Sequence, residues 1–100
     1  MGVHGGAGNT KKRTLSGTET KTAEAARVDV YSITVSILVV EAGKTVTILD
    51  GNDSDRLVFP ADRVDVYHVQ FPVGANFAAG VKVASDFAGA GSAHVTITSN

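Results

Sequence analysis

The chain of 100 residues predicts an all-β fold, an antiparallel β-sandwich of two sheets, and three observations predict it. From Val28 onward, apolar and polar residues alternate with the period of two that a half-buried strand requires. The alternating runs are short, and turn residues separate them at regular spacing: Ala42-Gly43, Asp50-Gly51-Asn52, Pro60-Ala61-Asp62 and residues 89–91. Good helix formers stand together only in "TAEAAR" (22–27), which is too short to hold a helix by itself. Jelly-roll and immunoglobulin-like wiring both fit these signals.

The elements follow in order. "VDVYSITVSILVV" (28–40) is rich in β-branched residues, and "KTVTILDG" (44–51) puts Val46 and Ile48 on one face. "RLVF" (56–59) stops at Pro60, and "RVDVYHVQF" (63–71) stops at Pro72; proline lacks the N–H a ladder needs. "GVKVAS" (80–85) and "HVTITS" (94–99) complete the set.

"RVDVY" occurs twice, at 27–31 and 63–67. In the first copy Val28 and Val30 share one face, and Tyr31, Ile33, Val35 and Ile37 share the other. In the second, Val64 and Val66 oppose Tyr67, Val69 and Phe71. A phase flip needs an extra residue, a bulge or a strand that changes sheets, so both segments are expected to bend at Val-Tyr and pass between sheets. A weaker echo follows each copy, "AGKTV" (42–46) and "AGVKV" (79–83). Two long strands under the same packing demands, or an internal duplication, both account for the repeat.

Composition bounds the function. The formal net charge is −1 and 43% of residues are hydrophobic, which excludes an acidic disordered chain and a polybasic nucleic-acid module taken as a whole. With no cysteine there are no disulfides, thiol nucleophiles or thiolate metal sites. Residues 1–9 are glycine-rich where a secretory leader would be apolar, so none is expected, and no apolar run has the length of a membrane span.

Residues 1–27 differ from the remainder. They carry five basic residues against two acidic, whereas 28–100 carry four basic and eight acidic. Besides Met1 and Val3, their one large aliphatic side chain is Leu15. So little apolar surface cannot offset the entropy of ordering, and the segment reads as an extended N-terminal arm, flexible when free, attached to a β-sandwich domain at 28–100.

No catalytic or cofactor constellation emerges, and no enzyme, cofactor or metal role is expected. His4, His68 and His94 have none of the close spacing of a zinc site. "DGNDSD" (50–55) places Asp50, Asn52 and Ser54 at alternate positions, as a calcium loop does. Its sixth position is Asp55 in place of glycine and its twelfth is Ala61 in place of glutamate, so an Asp-Gly turn is the simpler account. "GAGSAH" (89–94) lacks the nucleophile-elbow spacing, and "GGAGNTKKR" (5–13) lacks that of a phosphate loop.

Two features point to binding. "SILVV" (36–40) breaks alternation, and a strand apolar on both faces is covered on both. The cover for Leu38 and Val40 is another chain, or else the arm or a loop. The arm itself can lie along a partner's sheet edge, with Leu15 as anchor and Lys11, Lys12 and Arg13 suited to an acidic surface or a phosphate backbone. With three clustered charges and no aromatic residue beside them, nucleic acid is the weaker option.

The order of "VYSITVS" (30–36), "GKTVTILDG" (43–51), "LVFP" (57–60), "VYHVQFPVGANFAAGVKV" (66–83) and "VTITSN" (95–100) resembles small structural proteins of tailed bacteriophages, across roughly 28–100. The resemblance implies a capsid decoration, or cement, protein on the outer surface of the virion. Such a protein binds the major capsid protein, stabilises contacts between its subunits, forms trimers at threefold sites, and has no membrane partner. The alternative is a tail-fibre or other virion-associated binding module; six aromatic residues and no tryptophan speak against sugar recognition.

Overall fold

A computed structural model of the chain describes residues 8–100. Eight strands account for most of them: β1 (Asn9–Ser16), β2 (Thr18–Glu24), β3 (Val28–Val39), β4 (Thr45–Asp50), β5 (Asp55–Pro60), β6 (Val66–Phe77), β7 (Val81–Asp86) and β8 (Ser92–Ser99). The first sheet runs β1-β8-β3-β6 and the second β2-β7-β4-β5, antiparallel throughout. First strand pairs with last, second with seventh, third with sixth and fourth with fifth. This is a long hairpin of eight strands rolled into two layers, the wiring of a jelly roll. Of the two topologies open from the sequence, the immunoglobulin-like one is therefore excluded.

Between the layers lie the inward residues of both sheets. Val30, Ile33, Val35, Ile37, Val95 and Ile97 come from the first sheet, and Val46, Ile48, Val81 and Val83 from the second. Phe77 and Phe87 are the largest fully buried side chains.

The division at residue 27 is corrected. Residues 9–24 are two full strands of the sandwich, one in each sheet, and the part of the expected arm at 1–7 lies outside the described residues. Leu15 has 0% exposure and stands opposite Ala93, and Ala23 is buried as well. The chain passes from β1 to β2 through Gly17 alone, whose φ of +71° strains any L side chain. An unbroken ladder to β8 and a ladder to β7 that shifts register only between Thr22 and Glu24 hold these strands, so the entropy of ordering is opposed mainly by hydrogen bonds and edge contacts, with two apolar anchors.

The phase flip of β3 is a bulge. Pairing shifts between Val30 and Ser32 against both neighbours, leaving Tyr31 as the extra residue. The shift lets Val28 and Val30 face the same core as Ile33, Val35 and Ile37. The strand does not change sheets; the crossings come earlier, at residues 25–27 and 61–65, and both copies of the repeat follow a passage from the second sheet to the first. Their burial differs, since Val28 and Val30 are core while Val64 and Val66 are exposed. Opposite Tyr31, residues 71–74 of β6 bow outward with Val73 at the exposed tip.

Four connections gather at one end of the sandwich: Gly17 and residues 40–44, 61–65 and 87–91. The Glu41 amide donates to the Ala61 carbonyl (3.0 Å), the Ala61 amide to the Lys44 carbonyl (2.9 Å), and the Ser85 hydroxyl to the Gly17 carbonyl (2.8 Å). At the opposite end the Gly51 amide donates to the Gly80 carbonyl (2.9 Å). Gly80, at φ +97°, sits so near the Glu24 carbonyl that a Cβ would lie 2.2 Å from that oxygen.

Because Leu15 is core, Leu15→Ala is expected to lower the unfolding free energy by about 2–5 kcal/mol, read from urea denaturation. An arm residue would leave the midpoint unchanged.

Candidate interaction surface

The residues expected to meet a partner fall into two groups. Lys11, Lys12, Arg13 and Leu15 all lie on the edge strand β1, opposite Ile97, Thr96, Val95 and Ala93. Leu15 is interior. Arg13 is engaged within the chain: its Nε donates to the Thr22 carbonyl (3.1 Å), and its terminal nitrogens to the carbonyls of Ala23 (3.5 Å) and Lys12 (2.9 Å). Its side chain thereby clasps β1 to β2 across the rim between the two sheets. Lys21 adds a second tie by donating to the Thr14 carbonyl, and Glu19 a third by accepting from the Ser16 amide (2.7 Å). Lys12 is exposed and Lys11 half-buried. Of the basic cluster, Arg13 is therefore a fastening of this rim.

Leu38 and Val40 are 44% and 43% exposed, and no strand or loop of the described chain lies over them. The break in alternation is a second bulge. Ile37 stands opposite Ala93 and Val39 opposite Ser92, so Leu38 is the extra residue. Ile37 turns inward and three aliphatic side chains after it stay at the surface.

Register adds two more. Ser36 lies opposite Val66, and the Ile37 amide donates to the Asp65 carbonyl (2.8 Å), which sets Leu38 beside Val64. Val64 is 71% and Val66 61% exposed. Leu38, Val39, Val40, Val64 and Val66 thus form an apolar surface where the first sheet meets the gathered loops. Sequence reasoning assigned Val64 and Val66 to one strand face without seeing that this face is open. No local signal could have shown it, because the identical stretch at 27–31 buries its two valines.

The backbone beneath this surface is fixed by Glu41. Its carboxylate accepts the amides of Ala88 (2.8 Å), Gly89 (3.0 Å) and Gly91 (3.1 Å), tying the β3–β4 connection to the β7–β8 connection. These amides, Ala88 first, together with the nearby Lys44 charge, hold the Glu41 carboxyl below its ordinary value of 4.5.

Elsewhere the ionisable groups serve the fold. Asp50 accepts the amides of Asn52 (2.9 Å) and Ser54 (3.2 Å), an Asx turn, and Asp53 pairs with Lys82 at 2.8 Å. Thr34 and His68 side chains are 2.7 Å apart across β3 and β6. Among the described residues no three His, Cys, Asp or Glu side chains are grouped to hold a metal ion. A cleft of about 150 Å3 lies between β5 and β6, lined by Arg56, Leu57, Phe71, Ala75 and Phe77; the Arg56 guanidinium rests 4.3 Å from the centre of the Phe77 ring.

No protein-family model matches the chain, and no curated protein matches its sequence.

A carboxylate with a lowered folded pKa stabilises above its unfolded value, and the benefit is lost as pH falls through the folded one. Glu41→Gln is therefore expected to lower the thermal midpoint at neutral pH. The gap to the parent protein should shrink as pH drops below 4.5 and close in strong acid. A gap that does not vary with pH would assign the loss to packing.

Proposed function

We propose that this chain is a viral structural protein, a capsid decoration or cement protein that binds the outer surface of a phage head and stabilises contacts between major capsid subunits. The observation that carries the reading is the apolar surface of Leu38, Val39, Val40, Val64 and Val66, left open on a frame braced by Glu41. Contiguous exposed aliphatic side chains on a small domain are costly unless another surface covers them. Eight-stranded jelly-roll wiring, which recurs among viral shell domains, supports it, as does the order of motifs that resembles phage structural proteins.

In this mechanism no bond is made or broken. The patch loses water against a subunit border, and occupancy favours the assembled shell by mass action. The tether once expected of residues 1–27 has no part in it, because deleting them removes two strands. Self-association belongs to the reading, and the resemblance implies a trimer.

Co-sedimentation with heads assembled without the protein tests this. The parent protein is expected to pellet with heads. Leu38→Glu and Val64→Glu should each weaken binding by about tenfold or more, with little change in thermal midpoint. Failure to pellet, or binding indifferent to both substitutions, would remove the proposal. A positive glycan array would favour a receptor-binding module instead.

A further inference from the structure

Each sheet of a two-layer sandwich ends in two edges, and a free edge is a template for another strand unless something blunts it. Three of the four edges here are blunted by charge. β1 carries Lys11, Lys12 and Arg13; β2 carries Glu19, Lys21 and Glu24; β5 carries Asp55 and Arg56 and ends at Pro60. The fourth, β6, is the exception. Its twelve residues, VYHVQFPVGANF, contain no Asp, Glu, Lys or Arg.

The backbone of β6 shows which groups are on offer. Asp65 bonds to Ile37, so by antiparallel alternation Tyr67 and Val69 turn their backbone groups to β3, and Val66, His68 and Gln70 turn theirs to the open edge. The Val66 amide is held by the Asp65 carboxylate at 2.8 Å. Pro72 falls on the same side of the alternation, where its missing N–H breaks no bond to β3 but ends the usable edge. The available stretch is therefore residues 66–70, bounded by a carboxylate and a proline.

We propose that this chain forms a two-fold dimer in which β6 pairs antiparallel with β6 of a second copy, centred on His68. Charge decides the occupant. An uncharged edge is best matched by another uncharged edge, and among the described strands β6 is the one edge of that kind. The outward backbone groups at 66, 68 and 70 are evenly placed about His68, so this edge can pair with its own copy across a two-fold axis. In this register His68 meets its own copy, and Val66 stands opposite Gln70 of the second copy, whose carbonyl takes over the amide now held by Asp65. Tyr67 stands opposite Val69, an aromatic and β-branched pair, twice. The two first sheets then join into one of eight strands. The two-fold pair replaces, for the protein in solution, the trimer implied by resemblance, and it does not rest on the virion reading.

Sedimentation equilibrium tests this with exposed positions alone. The parent protein is expected to be a dimer. Val66→Lys with Gln70→Lys sets lysine against lysine twice and should weaken the dimer by about tenfold or more. Val66→Lys with Gln70→Glu sets opposite charges across the axis and should restore it. A parent protein that is monomeric or trimeric overturns the proposal. So does a dimer unaffected by the two lysines, or a lysine–glutamate variant as weak as the double-lysine one. Head co-sedimentation is read separately, on the parent protein and the Leu38→Glu and Val64→Glu variants, because Val66 belongs to both surfaces.

Discussion

Every layer of this molecule depends on keeping one face of β3 turned inward along its whole length. β3 is the strand bonded on both sides by long partners, β8 and β6, and its inward residues come in two sets out of phase by one position. A regular strand would bury one set and expose the other. The bulge at Tyr31 removes the conflict by inserting a single extra residue, and β6 answers by bowing outward at 71–74. The bulge at Leu38 does the reverse, ending the inward phase at Ile37 and leaving the next three aliphatic side chains outside. Core and candidate contact surface are thus products of the same two irregularities in one strand.

That explains what could be read from the residues. From Val28 onward most strands were legible because alternation is a local property, and the Asp-Gly, Ala-Gly and Pro-Ala-Asp turns are local as well; the stop expected at Pro72 was wrong, since β6 begins at Val66 and continues through Pro72 to Phe77. Even the phase flip was legible, though its resolution as a bulge, and not as a change of sheet, depends on neighbours far along the chain. β1 and β2 were not legible as part of the domain. Threonines and charges with a lone leucine look like a solvated tail, and what orders them is non-local: ladders to the last and seventh strands, and the reach of Arg13 to the Thr22 and Ala23 carbonyls. The ILVV run showed that something was unusual at 37–40, but not whether it was covered or open.

The same reasoning divides the basic residues differently from first sight. A cluster of Lys11, Lys12 and Arg13 invites a partner with negative charge. In place, the arginine is a clasp, and the lysines sit on a rim where charge discourages strand pairing. Their opposite number is β6, across the molecule, which bears no such guard. The two rims are unequal in chemistry: one is fastened and charged on both strands, and the other sets an uncharged β6 against the charged β5 across a small cleft lined by Arg56 and two phenylalanines.

Pairing of first strand with last has a temporal side. Asn9 lies across from Ser99, and the Gly8 amide donates to the Ser99 carbonyl. During synthesis β1 emerges before its ladder partner, which follows only after β2 to β7 have left the ribosome. Until then its donors and acceptors face water, and Leu15 has no complete interior to enter. Folding is accordingly a late, nearly all-at-once event of high contact order, slower than for a helical chain of equal length.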